Sequence, residues 1–127
     1  MSYLQAKKSA KLLYKKIGKI DVAALDGESV SFTRVGFDHL IRKGRVKRNK
    51  KEQFHRFGLL KYVAQILQNK NVTILYRENK RNLSIAKFWT FVEVIQRTKI
   101  KLVVRQVGDG SKHFFSIMGS RTKKSPK

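Results

Sequence analysis

The chain has 127 residues, about one domain's worth, and carries 30 Lys+Arg against 8 Asp+Glu, a formal net charge of +22. Solubility of a small domain needs a net charge of only roughly 2–8, so this excess calls for a polyanionic partner, and phosphate backbones are the commonest one. The absence of cysteine excludes disulfides and thiolate metal sites, and no apolar run approaches the ~18 residues that a membrane span requires.

The first segment, Ser2 to Lys19, sets six lysines around Leu4, Leu12, Leu13 and Ile17. It is compatible with a basic helix packed on the body and equally with a linker, and its lysines interrupt every stretch that could act as a secretory signal. Asp21 to Ser31 is mixed, with a turn at Asp26-Gly27. Ser31 to Val35 suits a short extended piece. From Gly36 to Lys43 the period becomes helical: Phe37, Leu40 and Ile41 form an apolar face, which would gather His39, Arg42 and Lys43 on the opposite side. Gly44 is a stop signal.

The run Arg42 to Lys51 is cationic at seven of its ten positions, namely Arg42, Lys43, Arg45, Lys47, Arg48, Lys50 and Lys51. With His55 and Arg56 it is expected to contact phosphates. A second helix is expected from Lys51 to Gln68, with Phe57, Leu60, Val63, Ala64 and Leu67 as its buried stripe. Beyond Asn69-Lys70-Asn71 the pattern turns to strands: Val72 to Tyr76, Ile85 to Gln96, Ile100 to Val107 and Lys112 to Met118. Trp89 and Phe91 read as core. Gly108-Asp109-Gly110-Ser111 is a hairpin signal. Helices first and strands afterwards predict an α+β fold, with N-terminal helices packed on an antiparallel sheet of about four strands. The expected divisions are a basic, partly helical segment over 1–30, a catalytic domain over 31–118 and a disordered basic tail over 119–127.

With Asp109-Gly110 at the centre of the hairpin turn, Arg105 opposes Phe114. Arg105, Phe114 and Ser116 then share one face, and His113, Phe115 and Ile117 the other. A three-residue loop would reverse this pairing.

No two of the eight acids form the close pair that a two-metal nuclease needs, and three histidines without a carboxylate motif make no zinc site. Neither a metal nor a cofactor is therefore expected. A metal-free route to RNA cleavage needs a group to take the 2′-OH proton, a group to protonate the leaving oxygen, and cations on the phosphate. His39 beside Arg42 and Lys43 is such a combination, and nearby cations favour the neutral imidazole that a base requires.

The stretch Val35-Gly36-Phe37-Asp38-His39-Leu40-Ile41-Arg42-Lys43-Gly44-Arg45, the helix after it, and the hairpin from Val103-Val104-Arg105-Gln106 to His113-Phe114-Phe115-Ser116-Ile117-Met118 resemble the small RNase toxins grouped as barnase/EndoU/colicin/RelE-like. The resemblance runs from about Thr33 to Met118. It implies that His39 is the helix-borne catalytic histidine, that Arg42, Lys43 or Arg45 is its phosphate-binding partner, and that Ser116 and Arg105 complete the site. For a second histidine, His55 and His113 compete. It further implies RNA as substrate, action in a bacterial cytoplasm after phage-borne or competition-system delivery, and an acidic cognate immunity or antitoxin protein. The same basic surface would equally serve a non-catalytic RNA- or DNA-binding module. His55 and His113 also have plainer readings, as a helix-surface contact and a packed side chain.

Overall fold

The computed structural model describes residues 2–81 and 83–122. Helix α1 spans Tyr3–Ile17 and is closed at its start by a capping box between Ser2 and Gln5. Its buried stripe is Ala6, Ala10 and Tyr14, spaced four apart, while Leu4 and Leu12 face outward. Gly18, at φ 59°, ends it. A hairpin follows, with β1 (Lys19–Val22) antiparallel to β2 (Glu28–Ser31). These two strands lie in a region expected to be mostly turn; each is only four residues long, too short for a clear alternation.

Helix α2 covers Arg34–Ile41, two residues earlier than the periodicity suggests. Arg42 and Lys43 are not helical. They form β3 (Arg42–Lys43), which pairs with β4 (Val46–Lys47) around a two-residue loop whose Gly44 has φ 62°. A glycine that readily takes positive φ in a two-residue loop favours a hairpin over another helical turn. The expected second helix is divided into α3 (Lys50–Leu59), a 3₁₀ turn (Leu60–Tyr62) and α4 (Val63–Leu67). Asn49 caps α3 by accepting from the Glu52 N–H at 2.8 Å.

Four long strands complete the chain: β5 (Thr73–Arg81), β6 (Ser84–Ile95), β7 (Thr98–Val107) and β8 (His113–Arg121). The α+β class is as expected, and β5 to β8 form an antiparallel run. The sheet, however, has six strands in the order β1-β2-β8-β7-β6-β5, and the β2–β8 pairing is parallel, through Ser31 and His113. Residues 2–30 are thus built into the same body: β2 joins the sheet, and Ala6, Ala10 and Tyr14 share the core with Phe91, Leu102, Phe114 and Ile117. Strand β8 runs on through Arg121, past the point where a disordered tail was expected, because Thr98 to Ile100 still offer ladder partners. Residues 123–127 of that tail lie outside the described residues.

Gly36 sets how closely α2 approaches β8. A Cβ there would meet the Phe114 carbonyl oxygen and the Tyr14 hydroxyl at 2.5 Å. That hydroxyl donates to the Thr33 carbonyl at 2.6 Å, tying α1 to the start of α2. No helix among the described residues is long and apolar enough to cross a membrane.

Candidate active site on the open face of the sheet

The helices cover one face of β6–β8, the face of Phe91, Leu102, Val104, Phe114 and Ile117. On the opposite face, residues directly across from one another form rows. Arg77 pairs with Phe88, Phe88 with Arg105, and Arg105 with His113. Four strands therefore place cation, aromatic ring, cation and imidazole side by side. Within this row the Arg77 guanidinium lies 4.5 Å from the Phe88 ring centroid, and the Arg105 Nε–H donates to His113 Nε2 at 3.0 Å.

The Arg105–His113 pairing differs from the expected register. The loop is centred on Asp109, with Gly108 at φ 53° and the Gly110 N–H bonded to the Val107 carbonyl at 3.0 Å. Near the turn the two strands are thus offset by one residue from the expectation, and His113, not Phe114, faces Arg105. A β-bulge between Val103 and Val104 then absorbs one residue of β8, and from Val103–Ser116 onward the expected register holds. Phe115 is the extra residue. It lies against the open-face row, with its ring 4.5 Å from the Arg105 guanidinium and 5.6 Å from Phe88. Phe114 and Ile117 both enter the core, which corrects the assignment of Phe114 to the Arg105 face and of Ile117 to the His113 face.

His39 reaches this cluster from α2. Its ring centroid is 4.2 Å from that of Phe115. Burial pushes its pKa below the ordinary 6.5; Arg105, Arg48 and Arg56 push the same way, and Asp38 opposes them. His39 is therefore biased towards the neutral form. Its backbone carbonyl accepts from Arg48 Nε at 2.9 Å, and the Arg48 N–H bonds to the Ile41 carbonyl at 2.7 Å, so Arg48 anchors the β3–β4 hairpin to α2. Buried Gln53 supports Arg48 in turn by donating to its carbonyl at 2.7 Å.

His113 is also half-buried, and burial followed by Arg105 lowers its pKa, against a backbone hydrogen bond with Ser111. Because Nε2 accepts from Arg105, the neutral ring carries its proton on Nδ1. His55 sits apart, bonded to the Gly119 carbonyl at 2.9 Å. Of the two competing histidines, His113 is the one joined to the Arg105 cluster.

Arg42, Lys43, Arg45 and Lys47 are all exposed on the β3–β4 hairpin, and Arg42 shares a shallow pocket with Val35, Asp38, His39 and Gly44. Lys50 and Lys51 are exposed at the start of α3, and the Lys50 Nζ lies 5.3 Å from the Tyr3 ring centroid. Arg56 was expected to contact phosphate but is buried: its Nε pairs with Glu52 at 2.9 Å and its Nη1 donates to the Ile117 carbonyl at 2.9 Å and to Ser116 Oγ at 3.3 Å. A guanidinium engaged in this way ties α3 to β8 and is not free for a ligand. Ser116, expected at the phosphate, is buried and holds Arg56. Arg77, Phe88 and Phe115 join this cluster beyond the candidate residues that the sequence singled out. Alternation along the strands places Phe88 opposite Phe91, a signal that it belongs to the face away from the core; nothing local marks the bulge that exposes Phe115 to Arg105.

Among the described residues no group of three His, Asp or Glu side chains is arranged to hold a metal ion. In comparisons with known proteins, no family model matched the chain, and neither a curated protein nor a solved structure matched it.

Proposed function

We propose that this chain binds RNA on the open face of β6–β8 and cleaves it as a metal-independent endoribonuclease. The supporting observation is the convergence of His39, from a helix, and Arg105, from the sheet, on one ring, Phe115. A neutral imidazole can take the 2′-OH proton. The freed oxygen then attacks phosphorus, a 2′,3′-cyclic phosphate forms as the P–O5′ bond breaks, and the 5′-oxygen leaves with a proton taken from solvent water. The two Nη groups of Arg105, whose Nε is occupied by His113, suit the non-bridging oxygens. Arg42, beside His39 in the shallow pocket, supplies further positive charge. Lys43, Arg45, Lys47, Lys50 and Lys51 would hold the flanking backbone.

In this reading the chain is a toxin acting in a bacterial cytoplasm, and the protein that silences it is acidic and covers the same face, with fast, salt-sensitive association. The alternative is a non-catalytic RNA- or DNA-binding module. It is favoured by the fact that His113 and Ser116 already spend hydrogen-bonding capacity on Arg105 and Arg56. Incubation with total RNA in EDTA separates the two: fragments ending in 2′,3′-cyclic phosphate are expected, and intact RNA that remains bound would leave only the binding module.

A further inference from the structure

We propose that Arg77, backed by Phe88, is a stacking platform for an unpaired nucleobase, so that the substrate class is single-stranded or looped RNA; this rests on the RNA-binding reading above. Phe88 is only 7% exposed, whereas Arg77, whose guanidinium covers it at 4.5 Å, is exposed. The cation thus lies over a ring while remaining open to solvent. Guanidinium planes, like aromatic rings, are surfaces on which splayed-out RNA bases stack.

The next row of the same face is Asn79, Ala86 and Val107. The small Ala86 leaves a pocket lined by Asn79, Ser84, Ala86, Phe88, Arg105 and Val107. Its walls are largely apolar, which suits the flat face of a base better than a phosphate. The exposed amide of Asn79 offers both a donor and an acceptor to a base edge. Arg105 is shared between this pocket and the His39 cluster. A base seated here would therefore bring its own phosphate to the cation assigned to the reacting group. In an A-form duplex the bases are stacked inward, so only an unpaired nucleotide can enter.

The test compares two uncleavable 2′-O-methyl RNA decamers of equal charge, one of adenosines and one of abasic units. The intact chain should bind the base-bearing decamer about ten-fold more tightly, the scale of one or two stacked bases. Arg77→Lys keeps the charge and loses the plane; it should collapse that ratio towards one while leaving abasic affinity nearly unchanged. Asn79→Ala should reorder the affinities of oligoadenylate, oligocytidylate and oligouridylate. Equal binding of the two decamers by the unmodified chain, or an undiminished ratio in Arg77→Lys, would overturn the platform and leave backbone binding intact. An unchanged order in Asn79→Ala would remove Asn79 from the subsite. If neither decamer binds at low salt, the RNA reading itself fails.

Discussion

The Nε–H of Arg105 donates to Nε2 of His113 across the β7–β8 ladder at 3.0 Å, while the same guanidinium lies 4.5 Å from the Phe115 ring centroid. These two contacts restrict the rotation of the Arg105 fork, the preorganisation that the proposed phosphate binding requires. In the proposed reaction His113 is a positioning residue. His113→Ala should lower kcat about ten-fold with a smaller change in KM, because the loosened fork costs most where charge develops. His113→Gln, whose carbonyl oxygen can accept the same Nε–H, should restore most of the rate. Loss of rate in both variants alike would point to a direct role in proton transfer.

His39 carries the chemistry in this reading. His39→Ala should reduce cleavage by about 10²–10⁴-fold, the usual worth of a positioned proton-transfer group. RNA affinity should change little, since a neutral imidazole supplies few phosphate contacts. Substrate with 2′-deoxy at the scissile position should remain bound and uncut. Cleavage of DNA as readily as RNA would exclude the 2′-OH mechanism.

Both half-buried histidines have folded-state pKa values pushed below the ordinary 6.5. The unfolded chain therefore binds more protons than the folded one in the window below about 6.5, and stability rises with pH across it. Acidification through that window should lower the denaturation midpoint. The double variant His39→Ala/His113→Gln should show a flatter pH dependence over the same range. Denaturation followed at several pH values checks this, and an unaltered slope in the double variant would assign the effect to other groups.

The β6–β7 turn is a two-residue loop, Gln96 and Arg97, with φ of 49° and 63° between the paired Ile95 and Thr98. Positive φ at both positions is the demand of a type I′ turn, which Asn-Gly meets with less strain. Replacing Gln96-Arg97 by Asn-Gly should raise stability by about 1 kcal/mol, a shift in Tm on the order of 4 °C. The hydrogen bonds that Thr122 donates to the Arg97 carbonyl involve backbone on the acceptor side and should survive.

Gly36→Ala should act in the opposite sense. The added methyl would collide with a backbone carbonyl and with the Tyr14 hydroxyl, so the cost should lie towards the upper end of the ~1–3 kcal/mol typical of overpacking. Any folded fraction should also cut poorly, because lifting α2 off β8 moves His39 away from Phe115. Urea denaturation together with single-turnover cleavage separates the two effects.

Several features could be read from the sequence because they depend on composition and on local period. The charge of +22 is the same whatever the fold, and the proposed polyanionic partner rests on it. The spacing of Phe37, Leu40 and Ile41 places His39 away from the core stripe of its helix, and alternation marks β6, β7 and β8. Contacts distant in sequence decided the rest. The four-residue strands β1 and β2 are held by burial of Ile20, Val22 and Val30 in the core and by the pairing of Ser31 with His113. The glycine after Lys43 takes Arg42 and Lys43 out of the helix and into a hairpin. Arg56 looks like any surface cation of the basic run until Glu52, Ser116 and the Ile117 carbonyl close around it. Periodicity reports which way a side chain points only while the strand stays regular. The bulge at Phe115 resets that period, so the meeting of His39, Phe115, Arg105 and His113 is a product of packing between α2 and β8, which no local pattern encodes.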